Sequence, residues 1–158
     1  MSRKKAREIL LCLVFLKDYH SDTGCEKLYI DLFENCSLEE FYTFFGEKEA
    51  KNTPESLRKA DEDYIKNTFF GVFENIGPID ETVSRSTIGW QYGRISKISM
   101  ALLRIAAYEL MYAGDVPVSV AINEALELSK RYDDPGAYIF VNGVLGAVVK
   151  TINKPTDT

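Results

Sequence analysis

The chain has 158 residues, 46% of them hydrophobic and 27% charged, which is enough for one globular domain with a core of its own. A net charge of −5 argues against a protein that coats nucleic acid indiscriminately. The apolar run at residues 9–16 is too short to span a membrane. We therefore expect a cytoplasmic protein.

A first helix is predicted over residues 4–19, and the chain is basic where this helix starts. Four cations lie there, namely Arg3, Lys4, Lys5 and Arg7. The segment from residue 18 to residue 63 is mainly acidic. The basic start is either a solvated tail or an arm that contacts phosphates, since each cation placed on a phosphate releases a counterion. The residues alone leave both readings open.

The predicted first helix has a main apolar stripe and a second side that carries an aromatic ring. The stripe is formed by Ala6, Ile9, Leu10, Leu13 and Leu16. At about 100° per residue, Lys4, Leu11 and Phe15 fall on the other side. If the helix is sandwiched between two layers, Leu11 and Phe15 belong to the core. Otherwise Phe15 is an exposed ring on the same side as a cation.

The next part of the chain predicts short helices separated by polar segments. Two of them fall at residues 25–33 and 37–46, and the first residues of the second fit a capping box. A charged linker at residues 47–53 follows. Residues 53–55, Thr-Pro-Glu, are a helix start signal, because they combine a capping hydroxyl, a proline and an acid.

The helix that follows this signal is predicted to reach Ile76 and to be stopped by the Gly-Pro pair at residues 77–78. A shorter helix over residues 79–88 comes next. The loop at residues 89–94 holds Trp90, the single tryptophan of the chain. A lone tryptophan between helices more often fills a core than binds a ligand, so we predict that Trp90 packs on the core.

The last third of the chain predicts three helices, over residues 98–110, 121–131 and 139–150. The first of them is apolar almost all the way round, which is typical of a helix surrounded by others. The second has one apolar and one charged face. Because the connections are short, we expect a compact bundle. The predicted class is all-α.

The predicted last helix contains an aromatic ring beside its buried stripe. The stripe consists of Val141, Val144, Leu145, Val148 and Ile152. Phe140 points roughly 100° away from the stripe centre, so it covers a neighbouring helix or stays partly exposed. An exposed ring beside cations is suited to stacking on an RNA base. Gly143 offers a bare backbone for close packing, or is a tolerated helix defect.

Residues that would carry catalysis or bind metal are not grouped in this sequence. His20 is the only histidine and has no spaced partner. The three cysteines, Cys12, Cys25 and Cys36, lack the paired spacing of zinc ligands. Asp133 and Asp134 precede a proline and are explained as helix caps. We expect neither enzymatic activity nor a metal or cofactor.

Three segments of the last third resemble the NusB family of bacterial transcription antitermination factors. They are residues 103–110, Leu-Arg-Ile-Ala-Ala-Tyr-Glu-Leu; residues 115–130, which start Asp-Val-Pro-Val; and residues 140–145, Phe-Val-Asn-Gly-Val-Leu. Weaker similarity extends the resemblance over most of residues 3–150, and the segment from about residue 21 to residue 53 matches least.

The resemblance implies a fold of about seven helices in two small three-helix bundles. It implies one RNA-binding domain over residues 1–152, with a flexible tail at residues 153–158. Proteins of this family bind the boxA element of single-stranded RNA together with NusE, a small-subunit ribosomal protein. They help RNA polymerase pass terminators in ribosomal RNA operons. Both monomers and homodimers occur in the family, and the sequence leaves this choice open.

The resemblance also implies roles for individual residues. The RNA-binding positions are Arg3, Lys4, Lys5, Arg7, Phe15 and Phe140. Ser99 stands where the family usually has an acid linked to the NusE interface, so a cap role would survive and a charge contact would not. The sequence at residues 133–136 differs from the family pattern, and Ile139 replaces a common lysine. These departures favour weaker RNA binding.

Two alternatives to RNA-binding antitermination follow from the same features. The first is a helical adaptor that binds only protein, which the Ser99 and Ile139 departures favour. The second is the front domain of an RNA cytosine methyltransferase, where a similar helical domain occurs. That enzyme would need a strand-rich cofactor domain with a Gly-rich loop, which we do not expect in a chain that stops at Thr158.

Overall fold

The computed structural model describes residues 2–31, 59–90 and 95–153, and these residues are helical with short connections. The helices are α1 (Ser2–Tyr19), α2 (Cys25–Tyr29), α3 (Lys59–Glu74), α4 (Ile76–Ser86), α5 (Lys97–Tyr112), α6 (Val118–Tyr132) and α7 (Ala137–Asn153). The described ranges contain no strand, and the predicted all-α class with about seven helices is confirmed. Within them no helix is long and apolar enough to cross a bilayer.

Several predictions fall on parts of the chain outside the described residues. They are the helix at residues 37–46 with its capping box, the linker at 47–53, the start signal at 53–55 and the last five residues of the predicted tail. The chain divides into two compact units, Met1–Phe69 and Phe70–Thr158.

The first unit contains α1, α2 and the first part of α3. Helix α1 is buried on more than one side, because Leu10 and Leu11 are adjacent in sequence and are 0% and 5% exposed. Adjacent residues point about 100° apart on a helix, so both can be buried only if neighbours cover the helix broadly. The alternative in which Leu11 belongs to the core is therefore the correct one.

The second unit is a bundle of α4, α5, α6 and α7 around one apolar core. Helix α5 packs against α4, α6 and α7, as predicted for a helix that is apolar on nearly all sides. The bundle holds a fourth helix beyond the three predicted for this part of the chain, because α4 buries Ile79 and Val83 in the same core. The Arg104 guanidinium on α5 donates two hydrogen bonds of 3.0 Å to the carboxylate of Asp80 on α4.

The junction between α3 and α4 differs from its prediction. The Gly77-Pro78 pair does not stop α3, which ends one residue before Asn75. The Asn75 side chain donates a hydrogen bond of 2.8 Å to the carbonyl oxygen of Gly71 in the last turn of α3. Helix α4 starts directly after Asn75, so Pro78 lies in its first turn, where the backbone amides have no partner within the helix and proline is tolerated.

Candidate nucleic-acid interface

The basic start of α1 is attached to α3 through two arginines. The Arg3 Nε donates to the Asp61 carboxylate at 2.9 Å, and its guanidinium carbon lies 4.3 Å from the ring centre of Tyr64. The guanidinium carbon of Arg7, one turn further along α1, lies 5.3 Å from the same ring. Because residues four apart share a helix face, both arginines face α3. They hold these helices together within the first unit.

The cations at the start of α1 therefore differ in their access to solvent. Arg7 is 7% exposed, which corrects the prediction that it belongs to a surface arm. The Arg3 side chain keeps 41% of its surface, although its charge faces the fully buried carboxylate of Asp61. Lys4 is exposed, and Lys5 is half-buried with its Nζ 3.6 Å from Glu8. Lys4 is the cation of this group best placed to meet a phosphate.

The aromatic ring predicted at the other end of α1 is only partly accessible. Phe15 is half-buried, and its ring centre lies 5.1 Å from that of Tyr19, one turn later on the same helix. Tyr19 is 62% exposed, so it shows more surface than Phe15. The prediction identified the aromatic side of the helix, and the structure places the more accessible ring at its last residue.

Phe140 is not an exposed ring. It is 3% exposed and belongs to the core of the second unit. The indole of Trp90 covers it in an edge-on arrangement, with ring centres 5.5 Å apart and an interplanar angle of 79°. Phe140 lies beside the buried stripe of α7, as predicted. The Trp90 side chain packs on that side of the helix and covers the ring. Phe140 therefore cannot stack on a base in this conformation.

Trp90 fits there because Gly143 lacks a side chain. A Cβ atom at Gly143 would overlap the Trp90 indole, so the glycine makes the close approach of this side chain to α7 possible. This agrees with the close-packing alternative for Gly143. Trp90 is itself 37% exposed, so it closes the edge of the core and is not enclosed by it.

Ser99 lies beneath a carboxylate at the start of α5. The N-cap of this helix is Ser96, whose Oγ accepts a hydrogen bond of 2.9 Å from the Ser99 amide, so the predicted cap role does not belong to Ser99. The hydroxyls of both serines donate to the same Oδ2 of Asp133, at 2.8 Å and 2.5 Å. Ser99 is 2% exposed. Asp133 therefore joins the end of α6 to the start of α5 and is not the cap of α7 that was predicted.

These residues border a surface pocket of the second unit. Its volume is about 300 Å³, and its lining includes Ser96, Ser99, Asp133 and the edge of Phe140. The lining has two carboxylates, those of Asp133 and Asp134, and two hydroxyls, and its apolar residues are Ile95, Pro135, Ala137 and Phe140. Such a lining is suited to hydrogen bonding with a polar group of a partner.

Comparison with known proteins identifies the family of this chain. The model of the NusB family matches residues 5–150. The chain belongs to the NusB family. The transcription antitermination protein NusB of Acetivibrio thermocellus is 36% identical over 150 residues, which cover 95% of this chain and 90% of that protein. NusB of Clostridium perfringens strain SM101 is 37% identical over 154 residues, which cover 96% of this chain and 99% of that protein.

Solved structures give the same fold. NusB of T. maritima superposes with a TM-score of 0.71 at 26% identity, covering 94% of this chain and 90% of that one. A crystal structure of the antitermination factors NusB and NusE in complex with dsRNA contains a chain with a TM-score of 0.72 at 22% identity, covering 95% of this chain and 97% of that one. At 22% identity, this second similarity shows only that the two chains share a fold.

NusB proteins are transcription antitermination factors and not enzymes, which confirms the prediction of a non-enzymatic chain. Within the described residues of this chain, no group of three or more His, Cys, Asp and Glu side chains is placed to hold a metal ion. His20 is exposed at the end of α1, and Cys12 is buried.

One basic and aromatic cluster, where α6 meets α7, was not predicted from the sequence. The Lys130 Nζ lies 4.9 Å from the ring centre of Tyr138, and the Arg131 guanidinium carbon lies 5.4 Å from that of Tyr132. Tyr138 is 37% exposed. The two adjacent cations at the end of the charged face of α6 are the sequence feature that could have indicated this cluster. Tyr132 follows Arg131 directly in the sequence, but the pairing of Lys130 with Tyr138 could not be assigned before the packing of α7 was known.

Proposed function

We propose that this chain is an RNA-binding transcription antitermination factor without enzymatic activity. It binds boxA single-stranded RNA together with NusE, a small-subunit ribosomal protein, and acts in the RNA polymerase antitermination complex on ribosomal RNA operons. It works in the cytoplasm. The observation that carries this proposal is the family match over residues 5–150, with relatives that are named as antitermination proteins over nearly their whole length.

Two further observations support RNA and NusE as partners. A chain of the same fold is found in a crystal structure with NusE and double-stranded RNA. In this chain, Lys4 is exposed on the first helix, next to Arg3, whose side chain keeps 41% of its surface. We propose that residues 1–152 act as one RNA-binding domain and that residues 153–158 lie outside it.

The proposed RNA contacts are weighted by accessibility. Lys4 and Arg3 contact phosphates, with Lys5 as a weaker neighbour, and Phe15 contributes an aromatic surface together with Tyr19. Arg7 and Phe140 contribute by holding the scaffold, because each keeps less than a tenth of its surface exposed. The NusE contact proposed at Ser99 is made through the Asp133 carboxylate that covers it.

RNA titration at several salt concentrations tests the proposal. The wild-type protein with NusE should bind a boxA RNA more tightly than a scrambled RNA of equal length. The Lys4→Gln variant should bind more weakly, and its slope of log affinity against log salt should fall by about 0.7, the value for one phosphate contact on a single strand. Lys150→Gln is the matched control, because Lys150 is an exposed lysine in the last turn of α7.

If the wild-type protein with NusE shows no preference for boxA over scrambled RNA, the antitermination proposal is lost. Binding of NusE without any RNA affinity would favour the helical adaptor instead. Sedimentation with and without RNA tests the homodimer. A dimer that dissociates when RNA is added would indicate that self-association covers the RNA-binding surface.

A further inference from the structure

The end of α6 and the start of α7 carry an aromatic ring that the core of the bundle does not use. Tyr138 lies in the first turn of α7 and is 37% exposed, whereas Phe140, two residues later, is 3% exposed. Two positions along a helix rotate a side chain by about 200°, so the turn that buries Phe140 necessarily directs Tyr138 outward. Ile139, between them, is 55% exposed.

A cation is held at this exposed ring. The Lys130 Nζ, in the last turn of α6, lies 4.9 Å from the Tyr138 ring centre, which is within the range of a cation–π contact. We call this pair the Lys130–Tyr138 platform. Lys130 is exposed, so its charge stays in contact with solvent. Arg131 follows directly and lies at the ring of Tyr132, 5.4 Å from its centre.

The chemistry of this surface suits a single-stranded nucleic acid better than a protein segment. Unpaired bases stack on aromatic rings regardless of their identity, and neighbouring lysines and arginines meet the phosphates. Two adjacent cations also stand out on a chain of net charge −5. An acidic peptide would pair with the cations but would gain little from the ring.

We propose that Tyr138 stacks on a base of the bound single-stranded RNA, with Lys130 at an adjacent phosphate. The inference rests on the proposed RNA binding and adds a contact in the second unit that neither the motifs nor the resemblance assigned. The aromatic ring of α7 that stacks on a base, which was expected to be Phe140, is therefore Tyr138, the ring that this structure leaves accessible.

Titration of fluorescently labelled boxA RNA, in the presence of NusE, tests the platform. Tyr138→Ala should weaken binding about tenfold without changing the salt slope, because stacking involves no counterion release. Tyr138→Phe keeps the ring and should bind within about twofold of wild type. Tyr112→Ala, which removes a 44% exposed tyrosine at the end of α5, is the matched control and should leave RNA affinity unchanged.

The lysine is tested by its charge. Lys130→Gln should lower the salt slope by about 0.7, whereas Lys150→Gln, at the other end of α7, should not. Photocrosslinking with 4-thiouridine placed along the RNA should yield a crosslinked peptide that contains Tyr138. Far-UV circular dichroism of each variant checks that the helices are intact, which we expect because the substituted side chains are exposed.

The outcomes separate this inference from the proposed function. If wild-type protein binds boxA RNA and Tyr138→Ala binds it equally well, the platform is overturned and RNA binding stands. If Tyr138→Phe loses as much affinity as Tyr138→Ala, stacking is not the contact. If the variants lose NusE affinity but keep RNA affinity, the surface belongs to a protein partner. If wild-type protein binds no RNA, both proposals fail together.

Discussion

Alanine should have opposite effects on stability at Gly143 and Gly146, which lie three residues apart on α7. A Cβ atom at Gly146 would meet no atom within 4 Å beyond its chain neighbours and the backbone of its own helix, so Gly146→Ala only restricts the unfolded chain and favours the helix. This change should stabilise the protein by about 0.5–1 kcal/mol. The same backbone gain applies at Gly143, but there the new Cβ would overlap the Trp90 indole.

The loss of stability expected for Gly143→Ala depends on the apolar surface that Trp90 buries. Trp90 is 37% exposed, so most of its ring surface lies against Phe140 and α7. If the indole moves away, roughly 100 Å² of apolar contact is lost, which at about 25 cal/mol per Å² is about 2.5 kcal/mol. Subtracting the backbone gain leaves Gly143→Ala destabilised by about 2 kcal/mol. Because the backbone gain is common to both variants and cancels, they should differ by about 2.5 kcal/mol.

Urea unfolding followed by far-UV circular dichroism measures both free energies. Trp90 is the single tryptophan of the chain, so fluorescence reports its environment directly. The emission of native Gly143→Ala should shift to longer wavelength as the indole becomes hydrated, and that of Gly146→Ala should not shift. Equal stability of the two variants, with equal emission, would refute the packing of Trp90 on Gly143.

Three further changes test the scaffold. Phe140→Ala should lose about 3–5 kcal/mol of unfolding free energy, as expected for a core ring, whereas an exposed ring would lose well under 1 kcal/mol. Asp133→Ala should cost about 1–3 kcal/mol in urea unfolding, because it removes the acceptor of the hydroxyls of Ser96 and Ser99. The pKa of Tyr108 is raised above 10.0, by burial first and then by nearby carboxylates. The folded state therefore favours the neutral phenol, and its contribution to stability is lost as pH rises above that value, so Tyr108→Phe should show a smaller fall in melting temperature between about pH 9 and about pH 11.

The sequence predicted the helices that carry strong periodicity. In the last third, α5, α6 and α7 appear where they were predicted, each longer by one to three residues at either end. Helix ends depend on caps, and the cap of α5 at Ser96 was missed because residues 98–110 were chosen by their apolar pattern alone. The break at Asn75 was missed for a similar reason. The Asn75 side chain bonds to the carbonyl oxygen of Gly71, and α3 ends there, before the Gly77-Pro78 pair that was predicted to stop it.

The candidate site was less predictable than the fold, because accessibility depends on partners that are distant in sequence. Arg7 looks like part of a basic tail until Tyr64, 57 positions later, is placed beside it. Phe140 looks like an exposed flank until Trp90, 50 positions earlier, covers it. Periodicity gives the direction of a side chain on its own helix. It gives no information about which other segment fills the space that the side chain points into.

The substitution at Ser99 shows how a departure in sequence can be smaller in space. The family resemblance implies an acid at this position, and this chain has a hydroxyl. The structure places the Asp133 carboxylate 2.5 Å from that hydroxyl and 2.8 Å from the N-cap hydroxyl of Ser96. A negative charge therefore lies at the start of α5, where the helix dipole favours it by about 0.3–1 kcal/mol. Because Asp133 also lines the pocket at this position, a partner that recognises an acid there would still meet one, supplied by the end of α6.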